Sequence, residues 1–212
     1  MTYEIKTITD ISELEQGNIV DVNVYNWGGD YRPPVKAVFC YVRDKGFDVR
    51  LTCYEKNPRA TFTQPNARVC RDSCLELYAN FKPGIAGKGY MNFECNANGS
   101  LLCYYGPVTQ NDYDGPHYLG DRVPVIELGY DHPVPRVIKT EEYWGFELFI
   151  PLKLIENIYG DAVFHSGDLL RGNFYKCGDR TEHPHYASFT KIDTPRPCFM
   201  DPDYFADMII VD

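Results

Sequence analysis

The sequence has no apolar run long enough to cross a bilayer, no internal repeat, no low-complexity tract and no excess of basic residues. The first absence leaves no candidate membrane span, because a spanning helix needs about 20 consecutive apolar residues. Without repeats or linkers, the 212 residues are expected to form one domain over 1–212. A formal net charge of -9 argues against nucleic acid and anionic membranes as partners, since both require a positive surface. Residues 1–10 include Glu4, Lys6 and Asp10 and lack the apolar core of a signal peptide. A cytoplasmic location is therefore expected, with an extracellular one not excluded. Tryptophan is scarce, at 2 residues.

Cysteine is not scarce, but a disulfide framework is missing. The eight cysteines do not fall at framework spacings. Cys40, Cys53, Cys95 and Cys103 lie inside strand-like runs, where a free thiol packs as a small hydrophobe. Cys70 and Cys74 lack the second pair that a zinc site of common spacing requires. Structural thiols in a reducing compartment are the expectation, and no metal ligands are assigned.

What the chain does contain is tyrosine and phenylalanine, 17 and 12 residues. Aromatic and β-branched residues cluster in short runs punctuated by prolines such as Pro33-Pro34, Pro58, Pro65, Pro83, Pro107 and Pro124. Such runs favour strands, and they are predicted at 3–8, 18–25, 35–43, 47–54, 74–81, 89–97, 100–105, 144–150, 170–177 and 186–190. Only Leu152, Leu154, Ile155 and Ile158, after Pro151 and before Gly160, show helical periodicity. Residues 106–139 read as a long excursion, rich in Asn111, Asp112, Asp114, Gly115, Pro116, Gly120 and Asp121, with one strand at 123–128. The pattern is that of an all-β protein, an antiparallel β-sandwich with one short helix after the 144–150 strand.

Strand alternation divides each run between two faces. Met91, Phe93 and Cys95 fall on one side of their run, leaving Tyr90, Asn92, Glu94 and Asn96 on the other. Leu75, Leu77, Ala79 and Phe81 point inward, with Glu76, Tyr78 and Asn80 outward. Trp144, Phe146, Leu148 and Ile150 leave Glu147 outward, and Leu170, Gly172 and Phe174 leave Arg171, Asn173 and Tyr175. If these strands share a sheet, carboxylates, amides, a guanidinium and phenol rings gather on one face. Sugars require such a mixture: hydroxyls need donors and acceptors together, while the C–H face stacks on an aromatic plane. A solvated outer face is the bland alternative.

Four runs carry a resemblance: Asp72-Ser73-Cys74-Leu75-Glu76; Tyr90-Met91-Asn92-Phe93-Glu94-Cys95-Asn96 with Gly99; Trp144 to Pro151; and Gly172-Asn173-Phe174-Tyr175 followed by Ala187-Ser188-Phe189. In this order they resemble the family 9 carbohydrate-binding modules. The resemblance implies a β-sandwich that clasps a mono- or disaccharide end between two aromatic rings, sometimes with structural calcium. By the same resemblance Glu76 contacts sugar and Phe189 stands where one stacking Trp is usual. Val69, Cys70 and Arg71 occupy the stretch where the second Trp belongs, and Glu94 replaces an Arg. The two-Trp clamp is thus absent, and a ligand would be held more by polar groups than by stacking. The candidate ligand-binding set is Arg71, Glu76, Tyr90, Asn92, Glu94, Glu147, Arg171, Asn173, Tyr175, His185 and Phe189, with a small saccharide as partner and no catalytic residue. The alternative is a glycoside-processing enzyme using Glu76 and Glu94 as a carboxylate pair. The segment from Cys177 to His185 reads as a turn and loop, from which Arg180 and His185 could reach a sugar rim.

Overall fold

The computed structural model describes residues 1–106 and 122–212, so the expected turn residues between Asn111 and Asp121 lie outside the described part. The chain-terminal strands β1 (Thr2–Ile8) and β14 (Ala206–Val211) pair with each other in parallel. They join two halves of one curled sheet. On one side β1 continues to β4 (Val35–Val42), β5 (Gly46–Cys53), β11 (Trp144–Pro151) and β10 (Arg136–Lys139). On the other, β14 continues to β12 (Leu169–Cys177), β6 (Cys74–Asn80), β7 (Met91–Asn96), β8 (Leu101–Tyr105) and β9 (Val123–Pro124). Two short strands, β2 (Val20–Asp21) and β3 (Val24–Gly28), pair with β4 and with β13 (His185–Ser188), and β13 runs beside β12.

The sandwich follows from the alternation. Phe47, Val49, Leu51 and Cys53 from β5 meet Leu75, Leu77 and Ala79 from β6 and Met91, Phe93 and Cys95 from β7 in one buried core. Phe47 and Phe81, from opposite halves, lie edge to face with ring centroids 5.2 Å apart, and Phe39 meets Phe174 at 6.4 Å. Fully burying one such ring is worth about 2 to 3 kcal/mol, so the two inner faces have strong reason to close on each other. The helix α1 (Leu152–Tyr159) forms where its periodicity predicts and buries Leu154, Ile155, Ile158 and Tyr159. It stops at Gly160, whose φ of 79° suits glycine.

The structure departs from expectation in four places. β1 is parallel to both neighbours, β4 and β14, although the other pairings are antiparallel. The run at 18–25 splits into β2 and β3. The run at 123–128 is a strand for two residues and then a 3-10 turn, Val125–Leu128. β10 and β14 form where no strand is predicted: β14 is stabilised by β1 at the far end of the chain, and β10 by the hairpin it makes with the adjacent β11.

A buried polar knot lies beside the core. Lys176 is fully buried, and its Nζ donates to Ser73 Oγ at 2.9 Å and approaches Glu55 Oε2 at 3.5 Å. It also meets His185 Nε2 at 2.7 Å, while His185 Nδ1 lies 2.6 Å from the carbonyl of His183. That carbonyl must accept from Nδ1–H, leaving Nε2 to accept from the ammonium. Glu55 further accepts from Trp144 Nε1 at 3.2 Å and from Ser73 Oγ. His185 is therefore a structural acceptor, 1% exposed, and not a rim donor to a sugar as expected. Burial and the neighbouring ammonium push its pKa down to about 4.

Two stability predictions follow from these contacts. A methyl added at Gly172 would lie 2.5 Å from the carbonyl of Tyr78 and against Met208. Gly172→Ala should cost about 1 to 3 kcal/mol in urea unfolding. The unfolded chain binds a proton on His185 near pH 6.5 that the folded chain refuses until about pH 4. The contribution of His185 to stability should therefore be constant above pH 6.5 and fall by about 1.4 kcal/mol per pH unit from there to about pH 4, read as the difference between the parent and a His185 variant. In His185→Asn that acid-side slope should shrink by about one proton, and an unchanged slope would contradict the assignment.

Candidate functional site

The strands β6, β7 and β12 are buried on both faces. Their outer face, with the adjoining Leu102 of β8, carries Cys74, Tyr78, Tyr90, Tyr175 and Cys177, packed under Ile192, Cys198, Phe199, Met200 and Phe205 from the segment after β13. Where this cover stops, a cleft of about 750 Å³ opens. Its lining includes Arg71, Glu76, Tyr78, Glu94, Tyr104, Arg122, Tyr186 and Phe199.

Sheet register sets the floor. Glu76 on β6 sits directly opposite Glu94 on β7 and opposite Tyr175 on β12. Glu94 is 3% exposed, and its Oε1 accepts from Tyr78 Oη at 2.8 Å and from Asn92 Nδ2 at 2.7 Å. Arg122 approaches the same oxygen at 3.6 Å. Glu76 is held differently. Cys177 Sγ donates to its Oε1 at 2.8 Å, while its buried Oε2 has no hydrogen-bond partner. Burial, followed by the charge of Glu94, raises its pKa to about 8, so Glu76 carries a proton at neutral pH. An orphaned carboxyl oxygen in a buried position costs about 1 to 3 kcal/mol, which a ligand group could recover.

Of the expected set, the structure brings three residues onto the cleft: Arg71, Glu76 and Glu94. Three more stand directly behind it. Tyr90 stacks on Tyr78 with centroids 5.7 Å apart, Asn92 orients Glu94, and Tyr175 stacks on Phe199 at 4.3 Å. The other five are elsewhere. Glu147 lies on the outer face of the opposite half because β11 pairs with β5 and β10, and there it binds Arg50 and Arg136. Arg171 donates to the carbonyl of Phe205 at 2.8 Å and pairs with Asp207 on β14. Asn173 is consumed in pinning the chain after β13: its Oδ1 accepts from the backbone N–H of Phe189 and Thr190, and its Nδ2 donates to Thr190 Oγ1 at 2.6 Å. Phe189 belongs to the inner core, edge-on to Tyr3 and Phe174, and offers a sugar no stacking surface. His185 sits in the knot around Lys176.

Sequence reasoning missed Tyr104, Arg122, Tyr186 and the wall at Arg196–Met200. Tyr104 had a legible signal, since alternation places Leu102 and Tyr104 outward opposite Glu94 and Asn92. The wall had none, because it is irregular and its position depends on how the chain folds back over β12. Tyr186 and Tyr104 stand on strands four sheet spacings apart, roughly 19 Å between backbones, rather than on neighbouring strands that would bring two rings to one sugar unit. They can instead meet successive units of a longer ligand.

Calcium, implied by the resemblance, calls for a cage of oxygen ligands. Among the described residues, the one group of three His, Cys, Asp or Glu side chains close enough to share a cation is Cys74, Glu76 and Cys177, a soft donor set unsuited to calcium. Asp72, the buried carboxylate of the same motif, is already engaged by the N–H groups of Thr61 and Phe62 and by Asn96. Among the described residues no helix is long and apolar enough to cross a membrane.

No curated protein sequence matches the chain. Among solved structures, a "putative carbohydrate-binding protein" from Bacteroides uniformis superposes with a TM-score of 0.74 at 24% identity, covering 99% of this chain and 98% of that one. A carbohydrate-binding module of family 9 from Caldicellulosiruptor kristjanssonii, in complex with cellotriose, gives 0.67 at 8% identity over 100% and 94% of the two chains. The complex of a family 9 module from that organism with glucose gives 0.67 at 10% identity, over 99% and 95%. These likenesses show the fold. The sequence profile of carbohydrate-binding family 9 matches residues 5–210, and the chain belongs to that family.

Proposed function

We propose that the cleft over β6, β7 and β8 binds the end of a saccharide without transforming it. The observation that carries this reading is the buried, partnerless Oε2 of Glu76 on the cleft floor, beside a second carboxylate already oriented by Tyr78 and Asn92. Protonated Glu76 donates to a sugar oxygen, and Glu94 accepts from a hydroxyl. Arg71 supplies further donors at the half-buried edge, and Tyr104 and Tyr186 offer aromatic faces to the C–H surfaces of a longer chain. The glucose and cellotriose in the two Caldicellulosiruptor complexes make a glucose-type sugar the natural first ligand to try. The eight free cysteines, seven of them buried, support a reducing compartment as the place of action.

Hydrolysis has less support. Glycosidases place their two carboxyls on either side of the scissile bond. Glu76 and Glu94 instead stand side by side on one wall, as directly paired neighbours in the sheet. Glu94 is also tied to Tyr78, Asn92 and Arg122.

Calorimetry against glucose and β-linked glucose oligomers tests the reading. Glu76→Ala should weaken binding by about 10- to 100-fold, the cost of losing one good hydrogen bond to a charged or desolvated group. Glu76→Gln should stay within a few-fold of the parent, because it keeps a donor where the protonated acid had one. Absence of heat with every neutral and charged sugar tried would end the proposal. Tyr104→Ala and Tyr186→Ala should each lower affinity for oligosaccharides more than for the monosaccharide. Equal losses for both ligand lengths would place the two rings at one sugar unit instead.

A further inference from the structure

Beside the two carboxylates lies a pair of thiols that saccharide binding does not use, Cys177 lining the cleft and Cys74 buried behind it. Cys74 on β6 and Cys177 on β12 are direct cross-strand partners, both pointing to the outer face. Glu76 lies two residues along β6 from Cys74, on that same face. One donor atom from each of the three lies within 4.8 Å of the other two, and all three residues are buried. Both cysteines are free.

We propose that Cys74, Cys177 and Glu76 form a binding site for a thiophilic divalent cation, zinc above all, at the bottom of the cleft. The donor set decides the metal. Two thiolates with one carboxylate suit zinc, whereas calcium and magnesium prefer oxygen ligands throughout. Tetrahedral zinc holds sulfur at about 2.3 Å and oxygen at about 2.0 to 2.2 Å, which sets donor separations of roughly 3.6 to 3.8 Å. Cys177 Sγ and Glu76 Oε1 now stand 2.8 Å apart with a thiol proton between them. Replacing that proton by the ion asks the pair to open by about 1 Å, a rotamer-scale adjustment.

Within this triad the same Glu76 oxygen that the saccharide reading uses is unfilled, so cation and sugar would compete for it. Glu76 Oε2 is buried without a partner, and a bound cation is one way to satisfy it. Binding releases the protons of both thiols to solvent, together with that of Glu76, and leaves the ion with three protein ligands. Glu76 and Cys177 both line the cleft, so the fourth position opens on it and takes water. The register accounts for the geometry: directly opposed cross-strand residues hold their Cβ atoms about 4.5 to 5.5 Å apart, and the residue two places along stays on the same face. Cys95 and Cys103 point into the core and are not opposed, since Cys95 faces Leu101 and Cys103 faces Phe93.

Titration of the reduced full-length protein with cobalt(II), then zinc, tests the site. Cobalt should bind with one equivalent and produce the thiolate-to-metal absorption band of tetrahedral sulfur ligation, and zinc should bleach it. Cys74→Ser and Cys177→Ser should each abolish the band, and Glu76→Gln should weaken binding by at least about tenfold. Cys95→Ser, confirmed as folded by circular dichroism, should leave the band intact. Absence of a band in the folded, reduced parent protein would overturn the proposal, as would a band that survives the Cys74→Ser/Cys177→Ser double variant. Peptide mapping under non-reducing conditions adds a third outcome. A stable Cys74–Cys177 disulfide that forms in air and resists mild reductant would make the pair a covalent staple instead.

Discussion

The constraint on which the site depends is the burial of strands β6, β7 and β12 from both sides. Their inner side chains are held by the aromatic core, and their outer ones by the chain that returns after β13. An antiparallel sheet with one wet face can carry carboxylates and amides at little cost. Here the same residues are enclosed, so each must find a partner in the protein or remain available to a ligand. Glu94 finds its partners in Tyr78, Asn92 and Arg122. Glu76 is satisfied on one oxygen only. The contrast between two carboxylates in direct register separates a positioned acceptor from an unfilled one.

Enclosure also explains why polar residues of similar type have opposite fates. Asn173 and Asn92 both lie on the outer face, yet Asn173 is spent on the backbone of Phe189 and Thr190. Glu147 and Glu76 both point outward from their strands, but on opposite halves of the sandwich. Glu147 therefore becomes the half-buried ion-pair partner of Arg50 and of the more exposed Arg136. Lys176 and His185 are likewise enclosed and meet each other, and Lys176 also reaches the carboxylate of Glu55.

Without a pair of tryptophans, the cleft replaces stacking by hydrogen bonding. Tyr104 and Tyr186, two of the rings that reach it, stand on strands four sheet spacings apart. A polar floor gives orientation and discrimination, because an analogue that leaves a buried group unpaired is penalised by the full cost of desolvation. The price is a smaller apolar contact, and with it a weaker contribution from area removed from water.

Much of this was legible in the sequence, because strand alternation is a local rule. The inward sets Leu75–Leu77–Ala79, Met91–Phe93–Cys95 and Trp144–Phe146–Leu148–Ile150, the helix between Pro151 and Gly160, and the outward Glu76 and Glu94 all follow from period two, period 3.6 and turn chemistry. The order of four short runs carried the resemblance to the family, and the profile match over residues 5–210 shows the membership. The neighbour of each strand was not legible, since pairing joins residues far apart in the chain and alternation says nothing about which outer face a residue shares. Only the tertiary structure moved Glu147 to the other half of the sandwich, drew Phe189 into the core, sank His185 beside Lys176 and laid residues 192–205 over β12. Local periodicity decided which way the side chains point, and the long-range register of the sheet decided what they meet.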